Sequence, residues 1–561
     1  MGVLVAANGT ARNAAGVVVA LVCVLAFSAG PASAARKPLP QPTPVANDAL
    51  ARALARGDLT PAAYTLERAR SLFRLGAVRR EFGEVVRPDP HAATLILRDL
   101  AFRLRQLPAT ERQEARRLLA RPDDGVAPPW THAWPDEAPA ATACDANTCF
   151  HWVTNALYAD APPLDDGPPA DGIPDWVETT ADVMADVWSA EVTAMGFLAP
   201  KSDATSANNG GNNRFDVYLA DIGAEGFFGY CTTDDPDASD QFPTHFDFSA
   251  YCVLDNDFED FGIAYTPEEF LQVTAAHEFH HASQFAYDAG EDVWLMEGEA
   301  MWMEGQVYPA ITDRFRYLDR SPIRRPDRPL DHGINSYEYG AWVFFQYLSE
   351  RFDDALMREI WELADASDLD TEQYSMQATG NAIAARGLGV TLSSAFATFA
   401  QWNRTPGAAG FYLEGDDYPS APTSALYKLG RSGTTGWRAP RLRHLASAYY
   451  SFAPRDTLGT GAKLRVAVDL PPLKSKPAAL VLIFYKNGDK VVRPLTLSSA
   501  GDASRTVSFG RGVVRRVDLV LTNASARYDT NTCWTQSTTY SCGGAVARDD
   551  LRTYSFKASV R

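Results

Sequence analysis

Cysteine is scarce in this chain, 7 residues among 561, and no two stand in the two-residue spacing that cysteine zinc sites favour. Basic charge is also in deficit. The 52 Lys and Arg against 70 Asp and Glu leave a net charge of −18, which argues against nucleic acid or an anionic membrane as partner and favours solubility, bound calcium or basic substrates. No apolar run is long enough for a bilayer span: Ala14 to Phe27 is short for one and no second run exists, so no membrane anchor is expected. No internal repeat recurs at a fixed period. What remains, 46% hydrophobic and 22% charged residues, is ordinary globular material with room for two to four domains.

Met1 to Ala34 reads as a secretory signal peptide: Arg12, the apolar run, then Ala32-Ser33-Ala34 before Ala35. Val22 before Cys23 lacks the small side chain a lipoprotein anchor needs, so the expected location is secreted and extracellular. The six cysteines beyond the signal fall into local pairs, Cys144 with Cys149, Cys231 with Cys252 and Cys533 with Cys542. In an exported chain that pattern predicts three disulfides.

Residues 35–129 carry 17 Lys and Arg against 11 Asp and Glu, a balance of +6 ahead of a strongly acidic body. Helical patterning runs through Ala46 to Arg121, with Leu95, Leu97, Leu100, Leu104 and Leu107 among arginines. Complementary charge makes this stretch a helical pro-segment that covers the body until removed, or else an N-terminal domain that stays. Residues 130–405 follow as the expected catalytic domain, with strands at Arg214 to Asp221 and Ser249 to Leu254 and a mostly helical second half. A linker at 406–440 leads to 441–561, where short strands and an Asn487-Gly488-Asp489 hairpin turn predict a β-sandwich. The fold class is therefore α+β.

Two acidic loops offer hard oxygen ligands. Asp165, Asp171 and Asp175 precede a helix, and Asp255 and Asp257 follow a strand; each set either holds calcium or is a solvated, capping turn.

The chemistry concentrates in Val273 to Phe285, which contains His277-Glu278-Phe279-His280-His281. On a helix His277 and His281 project about 40° apart and can grip one metal ion, while Glu278 is placed to take a proton from a water on that ion. A catalytic zinc needs a third protein ligand and an open position. Glu297 follows His281 after fifteen residues, enough for the helix to end and a second one, carrying Trp294, Leu295, Met301 and Trp302, to return alongside. Glu297 is the expected third ligand. His280 points to the other side of His277 from His281.

The pair HEFHH and WLMEGEAMWME resembles the gluzincin metallopeptidases, nearest to the aminopeptidase-N-like and glycyl-aminopeptidase-like signatures, and the arrangement looks like secreted bacterial metallopeptidases. The resemblance implies a zincin-like domain with a small sheet and a helical second half, zinc as cofactor and Glu297 as its carboxylate ligand. It further implies that Glu304 accepts a hydrogen bond from a ligand histidine. The spacer is shorter than in the aminopeptidase-N-like family, and Glu299, standing where that family has an aromatic residue, is the alternative ligand. Ser336-Tyr337-Glu338-Tyr339-Gly340-Ala341 is similar to the family's YEKGA element, which implies that Tyr337 stabilises the oxyanion, with His332 as the alternative; Tyr339 replaces the family's lysine. No exopeptidase element lies upstream. The expectation is a secreted endopeptidase acting on peptide or protein substrates, with the strand at Ser249 to Leu254 as the sheet edge beside the cleft. A zinc-containing binding protein without turnover, and a zinc hydrolase of non-peptide substrates, are the rival readings.

Overall fold

Thr148–Val153 and Phe215–Ala220, rich in β-branched and aromatic residues, form buried strands. The computed structural model describes residues 39–40, 42–43, 45–125, 133–240, 243–527 and 547–561. The expected signal peptide and the Cys533–Cys542 pair lie outside the described residues. The first sheet contains β1 (Ala140–Cys144), β2 (Thr148–Val153), β3 (Phe215–Ala220), β4 (Gly229–Thr232) and β5 (Tyr251–Asp255), in the order β1-β2-β3-β5-β4. The hairpin of β1 and β2 is closed by the Cys144–Cys149 disulfide; β2, β3 and β5 run parallel, and β4 is antiparallel to β5. Cys231 on β4 stands directly opposite Cys252 on β5, and the two are bonded.

Two expectations change here. The strand at Ser249 to Leu254 is interior rather than the edge, because Gly229–Thr232, too short and glycine-led to announce itself, pairs outside it. The stretch Arg214 to Asp221 reads as half-buried from its alternation, yet all of Phe215–Ala220 is buried, because helices cover both faces of the sheet.

One cover is N-terminal: α1 (Ala49–Arg56), α2 (Pro61–Phe82), α3 (Ala93–Arg103) and α4 (Ala109–Leu118). Leu66, Leu97, Leu100 and Leu118 from these helices share a core with Tyr218, Tyr230, Tyr251 and Val253 of the sheet. Asp48, which caps α1, also takes a buried two-pronged ion pair from Arg68 of α2, at 2.6 and 2.7 Å. The opposite cover is α5 (Asp175–Trp188), continued by a π-helical turn at Ser189–Ala194, and α6 (Pro267–Asp288). Val183, Val187, Leu271, Ala275 and Phe279 meet Phe150, Phe215, Val217 and Leu219 there.

Thr266 and Glu269 start α6 with a reciprocal capping box, and Pro267 supplies a first residue whose missing N–H is no loss. Beyond a short turn α7 (Val293–Val307) packs back along α6, and both are buried on nearly every side. The second half continues as α8 (Tyr337–Gly340), α9 (Trp342–Arg351), α10 (Ala355–Ala364), α11 (Met376–Ala385) and α12 (Leu392–Arg404).

The C-terminal strands are β6 (Ala425–Leu429), β7 (Arg441–Leu442), β8 (Ala446–Pro454), β9 (Lys463–Asp469), β10 (Pro477–Tyr485), β11 (Lys490–Pro494), β12 (Asp502–Ser508), β13 (Val514–Asn523), β14 (Arg552–Thr553) and β15 (Ser555–Val560). They make a five-stranded sheet, β11-β10-β13-β8-β6, a three-stranded sheet, β12-β9-β15, and the short pair β14-β7. Phe452, Val481, Leu519, Val466 and Phe556 join the two larger sheets in one apolar core. The expected linker at 406–440 is not wholly irregular, since β6 lies inside it and pairs parallel to β8. The molecule is thus a mixed α+β protein with several sheets.

Candidate metal centre

His277 and His281 leave one face of α6 with their Nε2 atoms 3.2 Å apart. Across from them, α7 brings Glu297, whose Oε2 lies 3.4 Å from His277 Nε2 and 3.5 Å from His281 Nε2. The far nitrogens fix the tautomers. His277 Nδ1 is 2.9 Å from Glu304 Oε1, and a carboxylate in that position accepts, so Nδ1 carries the hydrogen. His281 Nδ1 is 2.8 Å from Gln284 Oε1, while Gln284 Nε2 donates to the Met296 carbonyl at 3.1 Å, which turns the amide oxygen toward the ring.

Both Nε2 atoms therefore present lone pairs to each other and to a carboxylate oxygen in the buried interior. Burial holds His277 below its ordinary pKa and His281 down to about 3, and it raises the pKa of the Glu297 carboxyl. Glu297 Oε2 is buried and has no hydrogen-bond partner. Three potential ligand atoms converging in one buried place fit a cation, and two imidazoles with one carboxylate fit zinc.

Glu278 follows His277 on the same helix and is also buried. Burial, opposed by His277 and by a hydrogen bond from Thr94, raises its pKa to about 7, the range in which a carboxylate both takes and returns a proton near neutrality. Its backbone is backed by the disulfide: Cys231 Sγ lies 3.0 Å from the Glu278 carbonyl oxygen.

No family model and no curated protein matches the chain. Among solved structures, the periplasmic g-type lysozyme inhibitor PliG of Aeromonas hydrophila aligns at 9% identity over 24% of this chain and 98% of its own, with a TM-score of 0.14. CorA, a surface-associated copper-binding protein of Methylomicrobium album BG8, aligns at 11% identity over 25% of this chain and 100% of its own, TM-score 0.14. Legionella pneumophila aminopeptidase A aligns at 11% identity over 67% of this chain and 36% of its own, TM-score 0.25. At these values none of them bears on the site.

The remaining sequence candidates separate into those near the cluster and those elsewhere. Glu299, the alternative ligand, turns to the other side of α7. Its Oε2 accepts from Trp361 Nε1 and stands 3.9 Å from His280 Nε2, and His280 Nδ1 is 2.8 Å from Glu191 on the π-helical turn. His280 thus belongs to a separate buried group. Tyr337 is not brought to the metal cluster: its hydroxyl faces the carbonyls of Arg325 and Arg328, both at 3.5 Å, and its ring lies 5.6 Å from that of His332. The register of α8 puts Tyr339 there instead, with its ring 5.9 Å from His91 and the Glu297 carboxylate within electrostatic reach.

Four of the five calcium candidates, Asp171, Asp175, Asp255 and Asp257, accept hydrogen bonds from backbone N–H groups through their carboxylates. Asp175 accepts from Gly167 at 2.9 Å and Asp171 from Ile173 at 3.0 Å, and the Asp165 carbonyl accepts from Asp175 N at 2.8 Å. Asp255, buried, accepts from Ile222 at 3.1 Å and Phe258 at 2.7 Å, and Asp257 from Glu259 at 2.9 Å. Among the described residues these carboxylates form no metal-competent group.

Residues that the sequence did not nominate are Gln284, His91 and Thr94. Gln284, three positions after His281 on a helix, was within reach of spacing alone. Thr94 stands 184 positions before Glu278 and His91 186 before His277, and no local signal marks them.

Proposed function

We propose that this chain is a secreted, zinc-dependent peptidase of the gluzincin type, cutting within peptide chains. The observation that carries the reading is the convergence of His277, His281 and Glu297 beside the buried carboxyl of Glu278. Zinc, when held by these three side chains, supplies Lewis acidity that activates a water and polarises the scissile carbonyl. Glu278 takes the proton of the attacking water and delivers it to the leaving amine. Glu304 and Gln284 hold the two imidazoles in the tautomer that leaves Nε2 free.

The first sheet with α6 and the helices after it corresponds in this reading to a zincin-like domain, and the two C-terminal sheets to a β-sandwich. The edge strand that would pair with an extended substrate is β4, which runs antiparallel to β5 and packs against α6. Two disulfides support an oxidising destination, and no described helix is long and apolar enough to cross a membrane.

The experiment is Glu278→Gln. The variant is expected to retain one equivalent of zinc by elemental analysis and to lose hydrolysis of casein by 10²-fold or more, of the order a positioned acid–base supplies. Turnover retained with zinc in place sinks the mechanism, and zinc without any peptide cleavage in the unsubstituted protein, both intact and freed of its N-terminal segment, favours a binding role.

A further inference from the structure

The ligand atoms just described are closed off from solvent. His277 and His281 are 0% exposed, and Glu278 and Glu297 1%, so no substrate main chain reaches them in this arrangement. One stretch of the N-terminal region, Asp89 to Arg98, lies directly against the cluster.

Thr94, itself fully buried, lies at its centre. Its hydroxyl donates to Glu278 Oε2 at 2.7 Å and accepts from the backbone N–H of Cys231 at 2.9 Å. One side chain therefore occupies the base and a main-chain donor of the edge strand β4, the two groups a bound peptide and its attacking water need. His91 lies over His277 with ring centroids 4.5 Å apart, and its Nε2 is 2.9 Å from Arg316 Nη2. Asp89 accepts from the Tyr317 hydroxyl at 2.7 Å and from Ser336 at 2.9 Å. Arg98, buried, donates to the carbonyls of Ala289 and Glu291 at 3.0 and 3.2 Å in the turn between α6 and α7.

These polar contacts, individually matched to the groups around the cluster, add to the apolar packing of Leu97 and Leu100 on the sheet. Every residue of α3 is buried, so the stretch does not leave by local fluctuation. We propose that residues 39–125 are a built-in inhibitor seated in the substrate's place, and that severing and departure of this segment opens the site. The proposal rests on the peptidase reading for its biological sense, but closure itself is measurable without turnover.

The test uses the full chain with a recognition sequence for a site-specific protease inserted at Asp123 to Gly125, which are exposed. The protein is loaded with Co²⁺, and its visible spectrum is titrated with acetohydroxamate before and after cutting and separation of the segment; casein hydrolysis is followed on the zinc form. The intact chain is expected to bind metal yet give no hydroxamate response. Its hydrolysis should lie at least about 100-fold below that of the cut protein, as for a closed form favoured by about 100 to 1. Equal hydroxamate response and equal hydrolysis before and after cutting overturn the inhibitor and leave the peptidase standing. A response that arises on cutting without hydrolysis supports the cover and sinks the peptidase. In the uncut chain Thr94→Glu, which sets a carboxylate against Glu278, should produce the hydroxamate response without cleavage; a site still closed in that variant overturns the role given to Thr94.

Discussion

At the scale of single residues, what distinguishes this centre is how few hydrogens point inward. Glu304 is the clearest instance. It is buried on α7, seven positions after Glu297, and its carboxylate accepts from His277 Nδ1 at 2.9 Å, leaving Nε2 as a lone-pair donor. Replacing it with alanine frees the ring to turn and to place its hydrogen on either nitrogen. Glu304→Ala should weaken zinc binding by about 10- to 100-fold, the usual effect of losing a partner behind a ligand histidine, as measured by competition with a chromogenic chelator. Affinity unchanged in a folded variant would remove Glu304 from that role. Glu299 is the control, because its carboxylate faces Trp361 and His280 on the opposite side of the same helix.

Elements set how much of this could be read beforehand. The metal face of the helix bearing the histidines was legible from the four-residue spacing of His277 and His281, and its start carries local signals that mean the same thing in any context, Thr266, Pro267 and Glu269. Its cap also gives a test. Thr266→Ala removes the hydroxyl that accepts from Glu269 N and should destabilise the protein by about 1 kcal/mol in urea unfolding, with zinc content unchanged since the cap lies three turns from His277. The return of α7 with Glu297 was legible too, from the spacer length and the apolar stripe. Legibility ended where the partner is distant in sequence. Four residues, Gly229–Thr232, pair as the edge because the disulfide and the antiparallel register bring them to Tyr251–Asp255, and nothing local distinguishes them from a loop. Tyr337 matched a motif, but α8 is a single turn following two residues at positive φ, Asn335 and Ser336, and that local path aims the tyrosine at the Arg325 and Arg328 carbonyls. Thr94 was invisible because its role depends on α3 reaching across the molecule.

For the molecule as a whole, charge asymmetry in the sequence becomes specific contact in the fold. Arg121, at the end of the basic N-terminal region, is fully buried and meets Asp203 at 2.8 Å, Asp216 at 2.5 Å and Asp234 at 2.8 Å of the acidic body. A second buried junction ties the helical half to the C-terminal sheets. His444, just before β8, has Nε2 3.1 Å from Asp331 and Nδ1 2.9 Å from Asp550, so the ring must carry both hydrogens to satisfy both carboxylates. Burial opposes the charge, but Asp331 and Asp550 outweigh it and lift the imidazole pKa to about 9. A histidine whose folded pKa is raised contributes stability that is fully present below the unfolded value of about 6.5 and is lost as pH climbs through about 9. The difference corresponds to a fall on the order of 3 kcal/mol between pH 6 and pH 9.5. Urea unfolding at the two pH values should show this fall in the unsubstituted protein. His444→Gln, which keeps one amide donor but no charge, should be less stable at pH 6 and should lack that component of the decline. If both proteins lose stability in parallel, the junction between Asp331 and Asp550 does not titrate through His444.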